Sequence, residues 1–68
     1  MKDFKKCIVP CELLKIGDYI IHSKDDLSRI VDIRKNNKST TKIFCERDGA
    51  YYSSIYANDF KFEILRKF

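Results

Sequence analysis

The sequence predicts a small all-β domain, a barrel of five strands preceded by a short N-terminal extension. Turn signals recur at short intervals, β-prone runs lie between them, and no segment carries a convincing long helical pattern. A chain of 68 residues has room for one compact core, since chains of this size bury only about 60% of the surface of the unfolded form. No linker or repeat interrupts the sequence, so we expect a single domain over residues 1–68.

The N-terminal extension is expected to close one end of the barrel. Residues 5–9 are compatible with a short extra strand that ends at Pro10, which has no amide donor. Residues 11–15 are compatible with one helical turn that stops at Gly17.

The first four barrel strands follow from β-prone runs and the turns between them. Strands are predicted at residues 18–22 and 28–34, joined by a turn at 23–26. A second turn cluster at 36–39 leads into a strand that begins near Thr40 and continues through 42–47. Asp48-Gly49 then precedes the run 50–55. Because a type I′ turn needs positive φ at both central positions, Asp-Gly predicts a tight hairpin at this point.

The fifth strand has the clearest signal. Phe60, Phe62 and Ile64 alternate with Lys61 and Glu63, which is the period-2 pattern of a half-buried strand. The preceding residues 56–59 are short and turn-like, and they predict a single 3₁₀ turn.

Four segments share a pattern with a known family. They are 16–20 with its Gly-Asp step, the arginine-led 29–33, 42–49 with its acidic turn and glycine, and 58–60. Their order resembles the Tudor and KOW type of SH3-like barrel over roughly residues 15–66. Members of that family are mostly non-catalytic binders of methylated peptides, nucleic acids or the transcription and translation machinery. The resemblance implies an aromatic cage at Tyr19, Phe44, Tyr51 and Tyr52, in a chain that has no tryptophan.

The charge balance favours an anionic partner. The net charge is +4 and the pI about 9.1. We predict nucleic-acid binding by basic residues on one hairpin: Arg29, Arg34, Lys35, Lys38 and Lys42. A stacking or partner surface is predicted at Tyr19, Phe44, Tyr51, Tyr52 and Tyr56. Further basic residues add to this surface if the termini meet: Lys5, Lys6, Lys15, Arg66 and Lys67. Alternatively, the charges keep strand edges soluble and the tyrosines pack across strands.

Cysteine chemistry points to a structural role for the thiols. Three cysteines (Cys7, Cys11, Cys45) and no signal-like stretch indicate reduced thiols and a cytoplasmic protein. A zinc site with His22 is not expected, because four extended residues span roughly 13 Å whereas two zinc-bound sulfurs lie about 4 Å apart. We expect no cofactor, and His22, the single histidine, should be a solvated residue at a strand end.

Catalysis and membrane binding are not expected. The carboxylates form no recognisable acid/base pair, and both glycines belong to turns, which leaves none for a phosphate-binding loop. No apolar run approaches membrane-spanning length.

A second function class stays open. A small protein-interaction factor, encoded by a phage or mobile element, would bind and modulate a host protein. The small size, the tyrosines at 51–56 and the excess of lysine over arginine in an isoleucine-rich chain motivate it. The sequence decides neither DNA against RNA nor the oligomeric state.

Overall fold

The structure is a computed structural model that describes residues 3–67, and it confirms the all-β prediction. Six strands form one antiparallel sheet. They are β1 (Phe4–Pro10), β2 (Tyr19–Ser23), β3 (Asp26–Lys35), β4 (Thr40–Arg47), β5 (Ala50–Ala57) and β6 (Lys61–Lys67). No helix within residues 3–67 is long and apolar enough to cross a membrane.

The strand order in the sheet is β1-β6-β2-β3-β4-β5, so β1 and β5 are its two edges and the sheet is not closed. The expected N-terminal strand exists and pairs with β6 along its whole length, from Phe4 opposite Lys67 to Pro10 opposite Lys61. The ends of the described chain therefore lie side by side. A 3₁₀ turn, Cys11–Leu13, follows β1 in the segment predicted to form a helical turn.

The hairpin predicted at Asp48-Gly49 is confirmed. Both residues have positive φ, 51° at Asp48 and 84° at Gly49, as a type I′ turn requires. The Glu46 carboxylate accepts a hydrogen bond of 2.9 Å from the Gly49 amide. At the other end of β4, Asn37 Oδ1 accepts amide hydrogen bonds of 2.9 Å from Ser39 and Thr40, which fixes the turn predicted at 36–39.

The turn predicted at residues 56–59 exists, but it begins two residues later than expected and covers only Asn58 and Asp59. Tyr56 and Ala57 continue β5, because they pair with Thr41 and Thr40 of β4. The chain reverses only after them, through a turn closed by the Phe60 amide on the Ala57 carbonyl at 3.0 Å. The ladder with β4 therefore extends β5 beyond what its local sequence indicates.

The core lies on the inner face of the curved sheet. Its buried apolar residues are Cys11, Leu14, Ile20, Ile30, Ile43, Cys45, Phe62 and Ile64. Cys7, Val9, Ile33 and Tyr56 pack against them. Alternation along β4 and β6 places Ile43, Cys45, Phe62 and Ile64 in this cluster, and the residues between them face outward.

A buried ion pair ties β6 to the turn before β2. Arg66 donates from Nε and Nη2 to the two Asp18 oxygens at 2.9 and 2.7 Å, and the Asp18 side chain is only 4% exposed. The Lys15 amide donates to the same carboxylate at 2.8 Å, and Arg66 also reaches the Leu13 carbonyl at 3.0 Å. The hydrogen-bonded Asp18 carboxylate raises the pKa of Arg66. The aspartate of the Gly17-Asp18 step thus stabilises the fold.

Candidate functional site

The outer face of the sheet carries one continuous row of side chains across all six strands. The pairing registers place these residues next to one another, each on the face opposite the buried core. In order from β1 to β5 they are Lys6, Leu65, Tyr19, Arg29, Glu46 and Tyr51. Three predicted residues from different strands, Tyr19, Arg29 and Tyr51, therefore share this face.

A β-bulge in β3 decides which arginines join this face. Arg29 lies opposite Glu46 and Asp32 lies opposite Phe44, so Val31 is an extra residue in the β3 ladder. Strict alternation would send Arg29 and Arg34 to opposite faces, because they are an odd number of positions apart. The bulge shifts the register by one residue and brings both arginines to the outer face.

Two cations lie beside the Phe44 ring on this face. The Arg34 guanidinium carbon lies 5.4 Å and the Lys42 ammonium 5.3 Å from the centroid of the Phe44 ring. Both distances lie within the range of cation–π attraction. Arg34 also donates from Nε to the Asp32 carboxylate at 2.9 Å. We call Arg34, Lys42, Phe44 and Tyr51 the Phe44 surface.

A shallow groove of about 280 Å³ borders the Phe44 ring. Phe44, Tyr51 and Ser53 line it from β4 and β5, and the bulged Val31 lines it from β3. Tyr51 is 73% exposed, which is unusual for an aromatic residue. Phe44 and Tyr51 thus border an open groove that Asp32 also lines, and Arg34 and Lys42 lie beside the Phe44 ring rather than in the lining.

A second cleft of about 460 Å³ lies nearer β1 and, unlike the groove beside Phe44, has basic residues in its lining. Its residues include Tyr19 and Arg29 together with Phe4, Lys15 and Lys67. The Phe4 and Tyr19 rings meet edge to face with centroids 5.6 Å apart. Phe4 was not predicted as a site residue. Its only signal is a position one residue before the basic pair at 5–6, and only the β1–β6 pairing shows that it meets Tyr19.

Ion pairing divides the predicted basic residues into two groups. Arg29 pairs with Glu46 at 3.5 Å and Arg34 with Asp32 at 2.9 Å. The three lysines of the predicted set, Lys35, Lys38 and Lys42, form no ion pair with another residue of the described range 3–67. Only Lys42 of these three lies on the Phe44 surface.

Lys35 and Lys38 lie apart from the Phe44 surface. Lys35 pairs with the buried Thr41 at the end of β3 and lines a different groove, next to Cys11 and Asn58. Lys38 is exposed in the turn before β4, and its carbonyl accepts a hydrogen bond from Asn58 at 3.0 Å. The predicted basic set is therefore not one contiguous patch.

Tyr52 and Tyr56 point to the inner face, unlike Tyr51. The Tyr52 hydroxyl donates to Ser28, which is completely buried, and His22 Nε2 lies 2.7 Å from the same Ser28 oxygen. Burial raises the pKa of Tyr52. Tyr56 packs against Phe62 with ring centroids 4.8 Å apart. Both tyrosines therefore take part in interior packing, although Tyr52 also borders the groove beside Phe44.

The three cysteines and the histidine lie in different environments. Cys11 and Cys45 are buried, and burial raises the pKa of both thiols, which keeps them protonated at neutral pH. Cys7 is half-buried on β1. His22 is exposed on β2, as expected, but is hydrogen-bonded to Ser28 rather than fully solvated. In the part of the chain that the structure describes, no three His, Cys, Asp or Glu side chains form a metal-binding group.

Comparisons with protein-family models, with curated proteins and with solved structures found no match.

Proposed function

We propose that this chain is a non-catalytic module that binds single-stranded nucleic acid on the outer face of its sheet. The observation that carries the proposal is the pair of cations beside the Phe44 ring. A base stacked on Phe44 or Tyr51 would place its phosphates within reach of Lys42 and Arg34. Aromatic faces and nearby cations are the two elements that sequence-tolerant single-strand binding requires.

The distribution of charge along the face supports a track rather than a single pocket. The cleft at Tyr19 and Arg29 continues into the Phe44 surface through the row that ends at Glu46 and Tyr51. Bases would stack on rings from several strands while the backbone follows the basic side chains. Glu46 lies in this row, but Arg29 neutralises it.

We further propose that strands β2 to β6 belong to the SH3-like barrel class. Their order, β6-β2-β3-β4-β5, is a meander whose last strand returns beside its first. The type I′ turn at Asp48-Gly49 and the bulge at Val31 add the local twist that a small curved sheet needs. These features support the resemblance to the Tudor and KOW type, with β1 as an addition to it.

Two observations support a non-catalytic role. The Ser28 hydroxyl, the one that meets a histidine, is inaccessible to a substrate and is already shared with Tyr52. The buried thiols of Cys11 and Cys45 have raised pKa values and are poor nucleophiles at neutral pH.

Fluorescence anisotropy with labelled oligonucleotides tests the proposal. Single strands of about 12 nucleotides and the matching duplexes are titrated at about 50 and about 200 mM salt. Wild-type protein should bind single strands more tightly, with an affinity that falls as salt rises. Combining Arg34→Glu with Lys42→Glu should lower affinity about tenfold or more. The slope of log affinity against log salt concentration should also become shallower, by an amount that corresponds to the loss of about 2 phosphate contacts.

Phe44→Ala separates stacking from charge. Each stacked base contributes about 1–3 kcal/mol, so affinity should fall about tenfold while the salt slope stays unchanged. The matched control combines Lys24→Glu with Lys61→Glu, which makes the same change in net charge away from both grooves and should retain most of the affinity.

Absence of binding at low salt, or equal losses in the control and the Arg34/Lys42 variant, would contradict the proposal. The alternative, a factor that docks on a host protein, would then be tested at the exposed ring of Tyr51, because aromatic residues often anchor protein interfaces.

A further inference from the structure

The two edges of the sheet differ in how they are protected. Natural proteins usually block exposed edges with lysine, proline, bulges or a covering segment, because unpaired backbone groups recruit other strands. β1 carries Lys5, Lys6 and Pro10. β5, over Ala50–Ala57, carries no charged residue and no proline, and it pairs without a bulge to β4.

The hairpin geometry shows which backbone groups of β5 point away from β4. A two-residue turn makes its flanking residues, Arg47 and Ala50, a hydrogen-bonded pair. Hydrogen-bonded and non-bonded pairs then alternate along the ladder, so Tyr51, Ser53 and Ile55 direct their amide and carbonyl groups away from β4. Their side chains are on the outer face, in register with Glu46, Phe44 and Lys42.

This edge is complementary to itself in one antiparallel register. A twofold axis perpendicular to the sheet at Ser53 places Ser53 opposite Ser53 of a second copy. The same axis places Tyr51 of each copy opposite Ile55 of the other, so this pair occurs two times. Aromatic and β-branched side chains are favourable cross-strand partners, and the central serines can hydrogen-bond. Tyr51 is 73% and Ile55 52% exposed in the single chain, so both have surface to bury.

The flanking charges are compatible with this register. Glu46 pairs with Tyr51 and Lys42 pairs with Ile55. The twofold operation therefore puts Glu46 of one copy in the same cross-strand row as Lys42 of the other, and no like charges face each other across the joined edges.

We infer that β5 is a homodimerisation edge, at which a second copy of this chain pairs antiparallel about Ser53 to give one continuous sheet. The three edge-facing residues of each copy exchange backbone hydrogen bonds. A perpendicular twofold keeps both outer faces on one side, so the dimer doubles the face that carries Phe44. The inference does not rest on nucleic-acid binding, because it follows from the β5 backbone and its side chains alone.

Sedimentation over about 10 µM to about 1 mM protein, without nucleic acid, tests this pairing. Wild-type protein should pass from monomer to dimer and form no larger species. Ser53→Lys and Ser53→Asp each place like charges opposite each other at the axis and should weaken dimerisation about tenfold or more. Because residue 53 meets its own counterpart, an equimolar mixture of the two variants should recover the dimer.

Ile8→Lys is the matched control, because Ile8 is an exposed outward residue on the other edge. It should dimerise like wild type. A wild-type monomer at all concentrations would overturn the inference, and so would a dimer that Ser53→Lys leaves intact or that Ile8→Lys disrupts. Polymers beyond the dimer, or dimerisation only around an added foreign peptide, would also contradict it.

Ser53→Cys tests the register directly. Opposed residues of a hydrogen-bonded antiparallel pair have Cα atoms about 5.5 Å apart, which is within disulfide range. Mild oxidation should give a covalent dimer on a non-reducing gel, whereas wild type and Ile8→Cys should stay monomeric on it. No cross-link from Ser53→Cys in a protein that dimerises would show that the register is wrong.

Discussion

The two ends of the sheet are held in place by different kinds of contact. The β1 end is fastened by contacts from distant parts of the chain: the Cys11 amide donates to the Phe60 carbonyl at 2.7 Å, and Arg66 joins the Asp18 carboxylate to the Leu13 carbonyl. The β5 end is held by its ladder to β4 and by the inward Tyr52 and Tyr56. On its other side, alternate backbone groups of β5 point away from β4, and Tyr51 is exposed.

The comparison shows that two residues of the same charge can have different roles in this domain, because their burial differs. Arg66 is largely enclosed and joins distant parts of the chain, whereas Arg34, whose side chain is 71% exposed, pairs only with Asp32, two residues away. Sequence position alone does not separate these two arginines.

The largest expected effect is at the fastened end. Asp18→Asn keeps the shape of the side chain but leaves Arg66 without its carboxylate. Because breaking a buried pair is strongly destabilising, we expect the free energy of unfolding in urea to fall by about 3 kcal/mol. Asp32→Asn removes an exposed pair with Arg34 and should cost about 0.5 kcal/mol or less. Equal losses in the two variants would contradict the contrast between enclosed and exposed pairs.

A smaller effect is expected at the β5 end. Tyr52→Phe removes the hydroxyl that donates to the buried Ser28, and we expect the free energy of unfolding to fall by about 1 kcal/mol. Tyr51→Phe is the matched control on the adjacent, exposed ring, and it should change stability by less than about 0.5 kcal/mol. A larger loss from Tyr51→Phe than from Tyr52→Phe would show that the outward tyrosine, not the inward one, holds this end of the sheet.

The smallest effect is a pH dependence shared by both ends. Burial raises the pKa of Cys11, beside β1, and of Cys45, beside β5, above the ordinary value of 9.0. The unfolded thiols therefore lose their protons first as pH rises, which stabilises the unfolded chain. The stability that these thiols contribute is fully present below pH 9.0 and declines as pH rises through their folded pKa values.

Urea unfolding in reductant at about pH 7, 8, 9 and 10 measures this decline. Cys11→Ala and Cys45→Ala should each show a shallower decline than wild type, even though each cavity lowers stability at pH 7. An unchanged slope in both variants would show that other groups cause it. The Glu12 charge, a second cause of the raised Cys11 pKa, makes Glu12→Gln a mild intermediate case.

Local sequence was sufficient for most of the strands and for the hairpin. The alternation of Phe62 and Ile64 with charged neighbours, and positive φ at Asp48-Gly49, are preferences that a few consecutive residues express without distant partners. The turn at 36–39 is likewise fixed by its own Asn37 side chain. Local sequence also predicted the strand at residues 5–9, but it did not predict that this strand pairs with β6.

Tertiary structure decided the pairing of β1 with β6, the extension of β5 through Ala57, and the membership of the site. The Val31 bulge put Arg29 and Arg34 on one face, while the β4–β5 register sent Tyr51 outward and Tyr52 inward. The Asp18–Arg66 pair joins residues 48 positions apart. The physical reason is that the long-range strand pairing that buries the apolar core sets both the register and the face on which each side chain lies. A short stretch of sequence does not contain the partner strands, so it cannot show which pairing buries the core best.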